Sequence, residues 1–132
     1  MMPSANLRCT IIIPEGQVYD GEADFVVVPA HDGEIGILRN RAPLVCQLGV
    51  GSLRTRTGEV EESWFVDAGF AEVLDNHVVV LTQEALRPEE IDRDEAHALL
   101  DAAQRMQALD DAGARRKDRA MTRARTRLRM VR

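Results

Sequence analysis

The sequence predicts an all-β amino-terminal domain followed by an α-helical hairpin. Three observations predict it. Between residues 6 and 83, apolar, β-branched runs alternate with turn residues at the spacing of about 8–12 residues that marks short antiparallel strands. At Pro88 the hydrophobic period changes from two to that of a helix. A basic segment, Gly113–Arg132, then restarts a helical period. The predicted domains are residues 1–86 and 87–132.

The strands follow in order. "LRCTIII" is β-branched and is ended by Pro14, and "ADFVVVPA" is a second such run, ended by Pro29. "EIGIL" follows Gly33, and "APLVCQL" precedes "GVGS", whose glycines read as a turn. The Gly33–Gly36 and Gly49–Gly51 pairs are both read as turn glycines. "SLRTRT" places Arg54 and Arg56 on one solvent-facing side, because side chains alternate across a strand. "TGEVEE" reads as a turn with charged flanks. "SWFVDAG", "FAEVL" and "HVVVLTQ" complete the set, with Asp75-Asn76 as a tight turn. No helical period interrupts these strands, which argues against parallel βαβ units.

In the helical part, Ile91, Ala98, Leu99, Ala102, Met106 and Leu109 are predicted to share one face. Pro88 suits a first turn, and Glu89, Glu90, Asp92, Asp94 and Glu95 complement the positive end of the helix dipole. "DDAG", residues 110–113, is predicted to end this helix, with Gly113 as a left-handed cap. In the tail, Ala114, Met121 and Leu128 interleave with Lys117, Ala124 and Val131 as one seam. The two helices are expected to be antiparallel, each about 30 Å long or slightly less at ~1.5 Å per residue. Their seams are alanine-rich, so the hairpin should be weakly held.

Charge divides the 132-residue chain sharply. Residues 1–86 carry net −8, residues 87–112 net −5, and residues 113–132 net +8, with nine bases and one acid, Asp118. Such a block points to an acidic partner for the tail, inside the molecule or outside it. Four readings fit the tail's composition: a nucleic-acid arm, a membrane-surface helix, a partner-binding helix, or a solvated helix paired with the acidic first helix. The tail holds no aromatic residue for stacking on bases, which counts against a nucleic-acid module. It offers only Met121, Leu128, Met130 and Val131 as bulky apolar groups for a membrane.

Chemistry-bearing motifs are scarce. His31, His77 and His97 lack ligand spacing and read as surface or turn residues. Cys9 and Cys46 read as buried free thiols of a reducing compartment. Ser4, Ser52 and Ser63 sit in no nucleophile context, and no glycine-rich phosphate loop with its lysine is present. No metal and no cofactor are expected, and the chain does not read as an enzyme. The start, "MMPSANLRCTIII", predicts no signal peptide.

Two stretches carry a resemblance. "VPAHDGEIGILRNRAPLVCQLGVGSLR", residues 28–54, resembles a signature of the epsilon subunit of bacterial and chloroplast F-type ATP synthases: an acidic–Gly–Glu–Leu/Ile–Gly–Ile–Leu segment followed by Pro-Gly-His-Ala-Pro-Leu. "VDAGFAEVLDNHVVVLTQEA", residues 66–85, resembles its Gly-Gly-Phe-Ala-Glu-Val strand pair. The resemblance extends over essentially the whole chain. It implies an antiparallel β sandwich of about ten strands followed by two antiparallel helices. It further implies a non-catalytic rotor subunit of a proton- or sodium-driven synthase, gripping the gamma subunit and the c-ring. Such a subunit sits peripherally at the cytoplasmic face of the membrane and meets the membrane only through the complex. A mitochondrial homologue is the alternative, against which the missing transit peptide counts.

The resemblance also assigns residues. Glu34 falls in the loop that faces the c-ring. Arg41 stands at the histidine of Pro-Gly-His, which faces gamma; here Arg39-Asn40-Arg41 replaces that triplet. Arg115, Arg116, Arg119, Arg123 and Arg127 are the residues expected to meet acidic loops of the catalytic alpha and beta subunits and inhibit ATP hydrolysis. Some members bind ATP through Ile/Leu-Asp-x-x-Arg-Ala. The matching run is Ile91-Asp92-Arg93-Asp94-Glu95-Ala96, with Glu95 at the arginine position. A carboxylate there repels a polyphosphate, so ATP is expected to bind feebly or not at all.

Overall fold

The computed structural model describes residues 6–132, so Ser4 and the first five residues of the leader reading lie outside it. It comprises two compact units, one ending at Ala85 and one spanning Leu86–Arg132.

The described residues form eight strands: β1 (Leu7–Ile13), β2 (Gly16–Ala23), β3 (Phe25–Ala30), β4 (Gly33–Leu38), β5 (Leu44–Thr57), β6 (Val60–Leu74), β7 (His77–Leu81) and, at the boundary of the two units, the two-residue β8 (Ala85–Leu86). The order is β2-β1-β7-β6-β5-β3-β4, with β8 beside β6. All pairs in this path are antiparallel except β1 with β7. The sheet folds over a core of Leu7, Cys9, Ile11, Val26, Val28, Ile37, Leu53, Trp64, Val66, Val73, Val78 and Val80. The inward set on β1, Leu7, Cys9 and Ile11, is the alternation that a half-buried strand requires. Thr57 Oγ1 on β5 donates to the Glu22 carbonyl on β2 at 3.2 Å and so links two distant parts of the strand order.

The strand count falls short of the expected ten because two strands run on where breaks were predicted. The β5–β6 ladder continues in one register from Leu44↔Val73 to Thr57↔Val60. Gly49 and Gly51 therefore lie within β5, and Gly36 within β4, rather than in turns. Gly36 and Gly51 relieve crowding instead. A Cβ at Gly36 would lie 2.9 Å from the Phe25 ring, and one at Gly51 would lie 2.7 Å from Pro29 Cβ. Opposite Gly49, β6 carries two consecutive left-handed residues, Ala68 (φ 58°) and Gly69 (φ 110°). The Asp75-Asn76 turn is as expected: both residues have positive φ (49° and 63°), and Leu74 pairs directly with His77.

The second unit begins with a 3₁₀ turn, Pro88–Glu90, followed by α1 (Arg93–Gln104) and α2 (Asp111–Met130). Its boundaries differ from the expectation. α1 has 12 residues and is about 18 Å long, whereas α2 has 20 and is about 30 Å long. Asp110 does not end the first helix. It caps the second, its Oδ1 accepting the Gly113 N–H at 2.6 Å. Gly113 is thus inside α2, not a left-handed cap, because a carboxylate three residues upstream of a free amide is a strong N-cap. The buried stripe of α1 is Ala96 and Ala103, with Leu100 and Met106 half-buried. Ala98, Leu99, Ala102 and Leu109 are exposed, Leu109 by 87%. With Asp92 as its N-cap, α1 starts later, and the face it buries is rotated from the predicted one. On α2, Gly113 and Ala124 are buried and Lys117, Met121, Leu128 and Val131 half-buried, while Ala114 is exposed. The Arg132 N–H donates to the Pro88 carbonyl at 3.4 Å, so the carboxy-terminal end of α2 returns to the start of the unit.

Candidate functional site

Glu34 is the second residue of β4, in a strand rather than in the loop that the resemblance implies. It pairs across the ladder with Pro29. Its carboxylate is gripped by Arg54 of β5, Nη1 to Oε2 at 2.7 Å and Nη2 to Oε1 at 3.3 Å. Arg54 Nε lies 3.8 Å from Glu61 Oε1, and Arg56 Nη2 lies 3.4 Å from Glu61 Oε2. The four charges form a row, Arg56–Glu61–Arg54–Glu34. The hydrogen bond from Arg54 is the chief reason that the Glu34 carboxyl is held below its ordinary range, and the same bond raises Arg54. Sequence reading placed Arg54 on a solvent-facing side but gave no signal of its partner.

Arg41 lies in the exposed connection between β4 and β5. The rest of β4 and the residues 39–40 separate it from Glu34 in the chain, and no hydrogen bond or ion pair joins the two among the described residues. The preceding Asn40 is left-handed (φ 65°), a conformation that asparagine tolerates better than other residues with a side chain. Its N–H donates to Asn76 Oδ1, and Asn76 Nδ2 donates to Asn40 Oδ1 at 3.4 Å. The Arg41 connection is thereby tied to the β6–β7 turn.

Arg115, Arg116, Arg119, Arg123 and Arg127 fall within an arc of about 120° on α2 at ~100° per residue. They do not form one open face. Arg115, Arg116 and Arg119 are exposed and make no ion pair among the described residues, whereas Arg123 and Arg127 are half-buried and Thr126, in the same arc, is buried. Asp92 Oδ1 accepts the Glu95 N–H at 3.0 Å, so the first turn of α1 is capped by its own carboxylate, and Glu95 is exposed beside it.

The remaining candidates are structural. His31 and His97 are exposed, and His77 Nε2 is hydrogen-bonded to Thr10 Oγ1 at 2.8 Å. Thr10 Oγ1 also donates to Asp20 at 3.1 Å, and Asp20 is paired with Arg8. Cys9 and Cys46 are free. Cys9 is fully buried, and burial pushes its thiol up to about 12, while Cys46 is only half-buried, contrary to the expectation. Among the described residues, no helix is long and apolar enough to cross a membrane, and no group of three or more His, Cys, Asp or Glu is placed to hold a metal ion.

Together these features define a class: a β sandwich followed by a two-helix hairpin, its distinctive charged groups on outer surfaces. The family model described as ATP synthase, Delta/Epsilon chain, beta-sandwich domain matches residues 6–88. The ATP synthase epsilon chain of Rhodopirellula baltica is 44% identical over 127 residues, covering 96% of this chain and 99% of that one. The epsilon chain of Shouchella clausii is 38% identical over 124 residues, covering 94% and 93%. The chain belongs to the ATP synthase epsilon chain family. Its fold is also that of a chain in the Euglena gracilis mitochondrial ATP synthase OSCP/F1/c-ring structure, with a TM-score of 0.81 at 24% identity, covering 93% of this chain and 79% of that one. A chain of the Tetrahymena thermophila mitochondrial ATP synthase central stalk/c-ring structure gives a TM-score of 0.68 at 17% identity, covering 93% and 94%.

Proposed function

We propose that this chain is a non-catalytic rotor subunit of a proton- or sodium-driven ATP synthase. The sandwich joins the gamma subunit to the c-ring at the cytoplasmic face of the membrane, and α2 restrains ATP hydrolysis. Family membership supports the rotor role, and the two fold neighbours, which come from c-ring and central-stalk assemblies, agree with it. In this reading Glu34 meets the c-ring, Arg41 meets gamma, and residues 1–86 and 87–132 divide coupling from regulation.

The observation that carries the inhibitory part is the state of Arg115, Arg116 and Arg119. Three neighbouring guanidinium groups stand exposed on the first half of α2 without an ion-pair partner among the described residues. Arginine stays charged and forks onto carboxylates, so these groups suit an acidic surface supplied by the alpha and beta subunits. The fully buried residues of the two helices are small, Ala96, Ala103, Gly113, Ala124 and Thr126, and the larger Leu100, Met121 and Leu128 are only half-buried. Such a seam holds α2 weakly, so a few charge pairs worth about 0.2–1 kcal/mol each suffice to bias where it lies. Arg123 and Arg127 join the contact once α2 has left its hairpin position.

The test is deletion of residues 111–132, with ATP hydrolysis measured on an assembled complex shown to contain the shortened subunit. Hydrolysis rises, and coupled ion transport persists. Replacing the five arginines by glutamine gives a smaller rise that shrinks further at high salt, because exposed pairs are screened over about 8–10 Å at ordinary ionic strength. Unchanged hydrolysis after deletion refutes the inhibitory role.

A further inference from the structure

We infer that Arg54 is the positioning residue of the Glu34 contact: it holds the Glu34 carboxylate in one orientation and leaves one acceptor site on each oxygen for hydrogen-bond donors of the c-ring polar loops. This rests on the proposed contact between Glu34 and the c-ring.

The geometry comes from the sheet. Arg54 on β5 is directly opposite Val27 on β3, and Val27 is directly opposite Gly36 on β4. All three therefore share one face. Glu34, two residues before Gly36, is on that face as well. The guanidinium thus reaches across an entire strand to its partner. Arg54 is itself fixed from behind by Glu61, which Arg56 holds in turn. Phe25, Val27 and Thr55 line the small concavity beside it.

Each Glu34 oxygen accepts one N–H from Arg54, at 2.7 and 3.3 Å, while the side chain remains 54% exposed. A carboxylate offers about four acceptor positions, so roughly half stay open toward solvent. A carboxylate held in this way differs from a loose one in two respects. Its rotamers are already restricted before a partner arrives, and its charge is balanced, so it suits N–H and O–H donors rather than an isolated cation.

The test uses the assembly of this chain with its gamma subunit, binding a c-ring held in nanodiscs at pH 7.5. Glu34→Gln weakens binding about tenfold, the scale of a hydrogen bond to a charged group. Arg54→Gln weakens it about three- to fivefold, and Arg54→Lys recovers part of that loss. In a Glu34→Gln background, Arg54→Gln causes no further loss, because it acts through Glu34. The swap Glu34→Arg with Arg54→Glu keeps the unfolding temperature of the parent yet binds no better than Glu34→Gln, since the presented group is now a cation. Equal losses from Arg54→Gln in both backgrounds, or recovery of binding by the swap, overturn the positioning role. An unchanged Arg54→Gln variant beside a weakened Glu34→Gln variant overturns it too. If Glu34→Gln itself binds normally, the contact reading fails and the role of Arg54 falls with it.

Discussion

Adjacent residues of β6 should respond to substitution in opposite directions. Ala68 is the one residue among those described that is neither glycine, asparagine nor aspartate and yet has a positive φ, 58°. The left-handed region costs an L-residue about 1–2 kcal/mol. Ala68→Gly removes that cost but frees the unfolded chain, which takes back about 0.4–1 kcal/mol. The net expectation is a gain of about 0.5–1 kcal/mol, or roughly 2–6 °C in Tm for a unit of this size. Gly69 is the reverse case. Its φ is 110°, and a Cβ there would lie 1.9 Å from the Leu81 carbonyl oxygen. Gly69→Ala must push β7 away beside the Phe70↔Leu81 pair, at a cost of about 3–4 kcal/mol. Trp64, the single tryptophan, is 3% exposed with its ring 4.5 Å from that of Tyr19, so its fluorescence reports sandwich unfolding in the full chain. A lower Tm for Ala68→Gly, or a Tm for Gly69→Ala within about 2 °C of the parent, refutes the strain argument.

A chain ending at Arg87 should unfold cooperatively, because the buried cluster of the first unit draws on no residue beyond Ala85; a broad, non-cooperative transition in calorimetry counts against this. ATP should bind more weakly than about micromolar in calorimetry, and Glu95→Arg should improve binding, since Asp92 already occupies the Glu95 amide and Glu95 adds a like charge. Acid should weaken the sandwich in a defined window. The Arg8 hydrogen bond lowers Asp20 from 3.8 to about 2, so the unfolded chain takes up the proton first; that contribution is complete above pH 3.8 and lost as pH falls through about 2. Asp20→Asn should remove this part of the pH dependence in urea titrations.

What was legible in the sequence was whatever a local pattern dictates. The Asp75-Asn76 turn and the inward set of β1 follow from residue types at fixed spacing. β2 was not legible. "GQVYDGEA" has two glycines and two acids, and seven of its eight residues are exposed or half-buried. It is an edge strand that pairs only with β1, so it has little hydrophobic pattern to display. The continuity of β5 through Gly51 was hidden because the sequence shows a glycine but not the Pro29 ring packed against it. The phase of α1 was missed because alanines lie on both sides of its seam, Ala96 and Ala103 buried and Ala98 and Ala102 exposed, so apolar spacing alone does not separate the two faces. At the candidate sites, Glu34 and Arg41 were singled out by resemblance alone. The Arg54 fork and the Asn40–Asn76 tie join residues 20 and 36 positions apart, and no local spacing announces them.

The Asp110 cap gives α2 its own beginning. A helix that satisfies its first amides from within needs no neighbour to close it, and 20 residues exceed the ~12–15 below which isolated helices fade. Between the helices lie Arg105–Asp110, six residues that at ~3.3–3.6 Å each extend to about 20 Å. That reach is nearly twice the ~10–12 Å diameter of a helix with its side chains. The connection is therefore a tether: α2 can travel the width of a neighbouring helix as an intact rod while α1 stays where it is.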